Sequence, residues 1–434
     1  GSHDFFVIEL DEELTDGYVN GVALGVADGE LVVASTPDAM RGVLRRMAGS
    51  TEPSLASSAS FSAVSHLAGG HIFSFTDLGA AARAGNTLVR PLAAEFGVSG
   101  LLNELVSSLE TAGVIASSTS VTDQGLQSSS VQVVGDANSR VRDLLLNRDP
   151  ASQDALAFIT SDALTVSSGF SNPSGWWAYL NSIVASYPEL GIGSLDDLLL
   201  MFMGLDLRSS FFNWVGNELT TVTTGIVSTG GIGVASENLL GESLYVLRTS
   251  SEEAAQAGLE GFFSMAAMLA SSFTSLDGAA TGPADSSSEN VAGTVVNTIR
   301  LTDGVVISYG VTDDFVLVST DGHSVADALR ARAAGNAAPA VISRMLQQVP
   351  AGAVNFVVSD NESSLRSLAS QTAEQIELVA GLSGGSIDFA ALDAATAGVE
   401  QYMNFLADRA GGSWSWTIIE GDTVVSESFA EIDW

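Results

Sequence analysis

The chain has 434 residues and a formal net charge of −35, from 51 acidic and 16 basic residues, and every basic residue is an arginine. A field of that sign repels phosphate backbones and anionic headgroups, which excludes nucleic acid as an expected partner. With no lysine and no cysteine, the chain cannot build a P-loop, a kinase site, a Ser-x-x-Lys acyl enzyme, a pyridoxal Schiff base, a thiolate nucleophile, a disulfide or a cysteine zinc site.

A hydrophobic content of 46% is enough to fill the cores of two to four domains at this length. The carboxylates are scattered in ones and twos, as a solvated, self-repelling surface requires; adaptation to high salt and weak binding of divalent cations are the other sources of such acidity. Gly1-Ser2-His3 has neither the basic segment nor the apolar run of a signal peptide and reads as a tag remnant. Two long uncharged stretches, 219–236 and 261–276, are broken by Thr, Gly and Ser and fall short of a membrane span. Small-residue richness without lysine points to an extracytoplasmic location, secreted or in a bacterial cell envelope.

In chain order, the first pattern is a hairpin over 21–36, with apolar residues alternating on either side of Asp28-Gly29. Thr36 before Pro37 predicts a capped helix over 37–48. A second helix over 60–67, a strand over 71–75, a helix over 88–112 and strands over 113–122 and 128–134 follow. The next segment reads as a strand over 155–160, aromatic-rich helices over 176–187 and 195–205, Thr-rich strands, and a helix over 251–272 behind Ser250-Ser251-Glu252-Glu253. The small polar residues of 278–289 read as a linker. The first plan then recurs: a hairpin over 304–320 turning at Asp313-Asp314, helices over 324–334 and 339–347, a strand over 353–358, a helix over 392–409 and strands over 413–420 and 423–429.

The expected fold is therefore α+β, with mainly antiparallel sheets, helices packed on one face and internally duplicated modules. One β-β-α-α-β copy covers 5–147, a distinct aromatic-rich segment covers 150–276, and the second copy covers 289–434 and completes one unit with that segment. The first copy has no such segment ahead of it and must find sheet or core partners elsewhere.

Three short motifs, Asp154-Ala155-Leu156-Ala157-Phe158-Ile159, Met203-Gly204-Leu205-Asp206-Leu207 and Trp214-Val215-Gly216-Asn217-Glu218, precede a hairpin ending in Val-Ser-Thr. Together they resemble the bacterial domain-of-unknown-function family 3352, over about 150–434 as one unit and over 5–147 as its second half. The resemblance implies an exported or envelope-associated bacterial protein and brings no catalytic residues with it.

No residue pattern indicates a catalytic site, a metal or a cofactor. Gly381-Leu382-Ser383-Gly384-Gly385 fits the nucleophile-elbow pattern, but none of the four histidines follows it in the chain. Gly230-Gly231-Ile232-Gly233 lacks the remaining features of a dinucleotide site. His66 and His71 near Asp77 lack the spacing of a helical zinc pair, His323 stands alone in a loop, and Asp196-Asp197 suits the first turn of a helix.

The outstanding apolar groups belong to the middle segment: Trp176, Trp177, Leu199, Met201, Phe202, Met203, Phe262, Met265 and Met268. Stripes at helical spacing form a core, or they line a groove for a lipid-like hydrophobic molecule. The leading functional expectation is a non-enzymatic structural or protein-interaction component with a protein partner or self-association. The alternatives are a carrier of a hydrophobic small molecule and a carboxylate-based hydrolase acting on polysaccharide.

Overall fold

The computed structural model describes residues 5–8, 22–27, 30–34, 36–51, 53–95, 99–170, 172–187, 193–204, 206–225, 242–276, 285–302, 305–335, 337–370 and 389–434. The chain forms two compact units, residues 1–66 and residues 67–434. The boundary falls inside the segment 5–147 that the sequence reads as one copy.

The first unit is a three-stranded antiparallel sheet, β1 (Phe5–Ile8), β2 (Val22–Ala27) and β3 (Glu30–Ala34), in the order β1-β2-β3. It carries α1 (Pro37–Met47) and a short α2 (Ala59–Val64). Thr36 Oγ1 accepts from Ala39 N at 3.1 Å and Pro37 begins the first turn, so α1 starts where the sequence places it. Met40 and Leu44, one helical turn apart, sit on Ala23, Ala27 and Ala34 of the strands. The small side chains at those strand positions let the helix lie close to the sheet.

The second unit begins with β4 (Ile72–Asp77), α3 (Leu78–Glu95), α4 (Ser99–Ala112), β5 (Val114–Thr122), β6 (Gly125–Val133) and α5 (Ser139–Leu146). Then come β7 (Thr165–Phe170), α6 (Pro173–Ala185), α7 (Leu195–Met203), β8 (Val215–Thr223), β9 (Ser243–Thr249) and α8 (Glu252–Leu276). The rest is β10 (Asp285–Val291), β11 (Thr294–Thr302), β12 (Val305–Val311), β13 (Phe315–Ser319), α9 (Ser324–Ala334), α10 (Ala340–Leu346), β14 (Asn355–Asp360), α11 (Phe389–Ala407), β15 (Ala410–Glu420) and β16 (Thr423–Ile432).

Its 13 strands make one sheet in the order β10-β11-β12-β13-β9-β8-β7-β14-β15-β16-β6-β5-β4. The meander β7-β8-β9 lies between β13 and β14, strands that come later in the chain, and every pairing is antiparallel. Two terminal hairpins, β5-β6 and β15-β16, meet edge to edge through β6 and β16. Thr423 faces Val133, Glu427 faces Ser129 and Glu431 faces Gly125, so the pairing is symmetric about Ser129 and Glu427. Ser and Thr dominate this part of the sheet, and hydroxyls bond across strands, Thr119 to Ser128 and Thr417 to Ser426, each at 2.8 Å.

The α+β class holds, with an addition. Alternate residues of β13 point to different cores: Phe315 and Leu317 meet Val325, Ala328 and Leu329 of α9, while Val316 meets Ala255, Leu259 and Phe263 of α8. Helices thus cover both faces of the sheet at that strand.

Three local expectations are corrected. Residues 155–160 are not a strand: Asp154–Phe158 is a 3-10 turn that buries Ala155, Phe158 and Ile159 under α9, and β7 begins later, at Thr165. A short apolar run fits either shape, and here the core selected the turn. The linker read over 278–289 becomes strand from Asp285, because β11 supplies a complete backbone ladder to a segment of poor intrinsic β preference. The helix over 88–112 is two helices, the first starting at Leu78 where the Asp77 carboxylate accepts from Ala80 N at 2.7 Å.

Candidate functional site

The middle-segment side chains go to several places. Trp177 on α6 stacks on Phe212 at 5.6 Å, and its Nε1 donates to Asp196 Oδ1 at 2.8 Å. Asp196 also accepts from Asn181 Nδ2, whose Oδ1 in turn accepts from the amides of Leu195 and Asp196 at the start of α7. Trp176 turns elsewhere, edge-on to Tyr179 at 6.3 Å within a cluster of α5 and α6. Leu199 is half-buried, Met201 is exposed and Phe262 lies edge-on to Phe263. The side chains of Phe202, Met203, Met265 and Met268 lie outside the described residues, as do the Gly-x-Ser-x-Gly motif at 381–385, the glycines of 230–233 and the Asp28-Gly29 turn.

Between these groups the aromatic residues pack ring on ring. Phe211 is edge-on to both Phe212 and Trp214, and Phe263 stacks on Tyr309 at 4.9 Å. Trp214 is the largest fully buried side chain among the described residues, and its Nε1 donates to Ser210 O at 2.7 Å. Gly258 lets α8 come this close, since a Cβ there would stand 2.4 Å from Ser210 O and 2.5 Å from Trp214 Nε1.

Two polar networks are held by neighbours. Tyr179 Oη contacts Ser108 Oγ at 2.5 Å and donates to Glu104 Oε1 at 3.1 Å, and Asn138 Nδ2 donates to the same carboxylate at 2.9 Å. Burial, and then the Glu104 anion, push the Tyr179 hydroxyl above its ordinary pKa. Arg248, lying 4.9 Å over the Phe315 ring, donates to Glu218 Oε2, Asp154 Oδ2 and Ser152 Oγ, each at 2.9 Å. Burial works against the Arg248 cation, but the two carboxylates outweigh it and raise its pKa.

An open cleft of about 930 Å³ between α8 and β11-β12 is lined by Glu252, Glu253, Glu260, Asp313 and Arg332, which is a polar setting for any ligand. His71 Nδ1 accepts from Val121 N at 3.1 Å. Among the described residues no group of three or more His, Asp or Glu is placed to hold a metal, and no helix is long and apolar enough to cross a membrane.

The first unit presents a different surface. Among the described residues its sheet is covered by α1 on one face. On the other, Phe6 (78% exposed), Val26 (62%), Leu31 (69%) and Val33 (59%) stand in solvent with Ile8. Cross-strand register joins Phe6 to Leu24, Leu24 to Val33 and Val26 to Leu31, so the exposed side chains form continuous rows. Among the described residues β3 pairs only with β2, which leaves its outer edge as a row of backbone donors and acceptors. The nine residues singled out from sequence miss this surface entirely. Its signal was present as apolar residues at both alternations of 22–34, which a strand with one wet face does not need.

A sequence model of the family described as "Protein of unknown function (DUF3352)" matches residues 15–353. The chain belongs to this family. The match takes in the first hairpin and α1, the whole middle segment and the second hairpin with α9 and α10; it begins far ahead of residue 150, where the quoted motifs set the main span. No curated protein and no solved structure matches the chain. In this DUF3352 member, then, the open sheet of the first unit lies largely inside the matched span, as do the Trp214 cluster and the Arg248 network.

Proposed function

We propose that this DUF3352 protein is a non-enzymatic, extracytoplasmic component that works by binding protein, with the open face and edge of the first unit as its interface. One observation carries the reading: an apolar sheet face beside a strand edge that is unpaired among the described residues, on a chain of net charge −35. Contiguous exposed apolar surface of this kind marks interaction sites, and an open edge adds directional backbone bonds to the apolar contact. The missing lysine and cysteine support a role without covalent chemistry, and the small-residue-rich composition supports an exported setting. A lipid carrier is less favoured, because the described aromatic residues of the middle segment pack on one another and the large cleft is polar.

The test uses the cysteine-free background. A photo-crosslinker attached through Leu31→Cys should yield protein adducts in the native host, while the same probe at Ser139→Cys should not. Adducts with lipid alone, or no adducts at all, would reject the interaction reading.

A further inference from the structure

The two hairpins can be laid on one another without a gap. Gly25 faces Val32 as Gly310 faces Leu317, Val26 faces Leu31 as Val311 faces Val316, and Ala23 faces Ala34 as Ser308 faces Ser319. The same offset of 285 carries the helix residues, Met40 onto Val325 and Leu44 onto Leu329, each pair buried against its own strands. β1 pairs with β2 as β11 pairs with β12, so that Phe5 opposite Gly25 corresponds to Val296 opposite Gly310.

The surroundings of the two hairpins differ in two respects. In the second, the outer edge of β13 is paired antiparallel with β9, Val316 facing Leu247 and Val318 facing Tyr245. The face carrying Tyr309, Val311 and Val316 lies under α8, through Ala255, Leu259 and Phe263, and Val316 is fully buried there. In the first, the corresponding edge of β3 is open among the described residues, and Leu31 and Val26, which correspond to Val316 and Val311, stand in solvent. One continuous piece of chain, Ser243–Leu276, supplies both the strand and the helix in the second case.

We propose that the first unit is a receptor for a segment of the same design: a β-strand that pairs antiparallel on β3, followed by an amphipathic helix that covers Leu24, Val26, Leu31 and Val33. In the second unit that segment precedes β11 and the hairpin in the chain, and the occupant of the first unit is a strand-helix segment of the same order from outside residues 1–434. This names the partner for the interface proposed above and rests on that reading. The recognition is backbone pairing along one edge plus apolar contact on one face, which suits a strand-helix segment better than an isolated peptide or a lipid.

The chain itself provides the probe. Residues 242–293, carrying β9, α8 and β10, are joined in front of His3, so that the added segment meets β1 as β10 meets β11. In residues 1–434 alone, Leu31→Cys should react with a maleimide far faster than Val316→Cys, and the amides of 30–34 should exchange faster than those of 315–319. In the fused chain both rates at β3 should fall by more than about tenfold, as burial of a strand edge requires, and Val33→Asp should restore them. If the fused chain is insoluble, a synthetic peptide of residues 242–276 added to residues 1–434 is judged by the same rates. Unchanged rates at β3 with the added helix or peptide present overturn the strand-helix occupant, while protein adducts at Leu31→Cys would leave the interaction reading standing. Slow rates in 1–434 alone that depend on concentration make a second copy the occupant and overturn the proposal. Slow rates independent of concentration overturn both readings.

Discussion

Lysine placed at two corresponding positions should separate an exposed docking face from a core. Val316 is 0% exposed and Leu31 is 69% exposed, although they occupy the same place in their hairpins. In Val316→Lys the ammonium would enter the apolar cluster of Leu259, Phe263 and Tyr309 at a position that is fully buried. Holding a lysine neutral at pH 7 requires its pKa to fall by about 3.4 units from 10.4, which costs about 4–5 kcal/mol. Overpacking by the longer side chain adds about 1–3 kcal/mol. In a unit of more than 300 residues each kcal/mol moves the midpoint by roughly 1–2 °C, so the expected loss in Tm is about 5–15 °C. Leu31→Lys meets only solvent on its side of the sheet and should change stability by no more than about 0.5 kcal/mol. Thermal melts followed by circular dichroism measure both. The lysine-free background adds a direct readout, since an amine-reactive ester should modify the Leu31→Lys chain at its new side chain within minutes and the folded Val316→Lys chain only at its amino terminus. Equal melting of the two variants, or a loss above about 2 kcal/mol for Leu31→Lys, would refute the argument that one position is core and the other an open face.

Trp214→Ala removes the largest buried side chain and leaves Ser210 O without its donor, so a loss of about 3–5 kcal/mol is expected in urea titration; a loss below about 1 kcal/mol would show that α8 is not seated on this ring. Gly125 has φ +144°, and a Cβ there would come within 2.0 Å of Ala430 O on β16. Gly125→Ala should therefore cost at least about 2 kcal/mol, with faster amide exchange confined first to the seam between β6 and β16. The Glu431 carboxylate accepts from Arg344 and from Gly412 N at 2.8 Å, and the Arg344 bond above all holds its pKa below the ordinary 4.5. Its contribution is present above pH 4.5 and is lost as pH falls through the lower folded value; with Arg344 about half exposed it amounts to about 1 kcal/mol at most. Acid titration of Glu431→Gln beside the parent chain should show a shallower loss of stability below pH 4.5 in the variant, and parallel curves would remove Glu431 from the account.

Much of the secondary structure is legible because its causes are local. Thr36-Pro37 starts α1, Ser194 accepts from Asp197 N to start α7, and the apolar spacing of 324–334 marks α9 to the residue. What failed was also physical. Ala155 to Ile159 is apolar enough for a strand, but Phe158 sits under Arg332 and against Phe315, contacts that exist only when α9 is in place. Asp285 to Glu289 has no strand character of its own and takes its shape from β11. The candidate site was the least legible feature, because abundance of aromatic residues drew attention to 176–268, where the described rings mostly bury one another.

Composition and short-range pattern by themselves determined the acidity, the closed chemistries, the α+β class and most element boundaries, since propensity, capping and alternation act within a few residues. They also led to the reading that one hairpin plan occurs twice. Only the tertiary structure decided that β7-β8-β9 lies between β13 and β14, that β6 joins β16, and that Val316 is covered while Leu31 is bare. The two hairpins are near equivalents in sequence pattern, and what separates them is the strand and helix packed alongside. Burial is a property of the neighbours a residue meets in space, and no local pattern contains them.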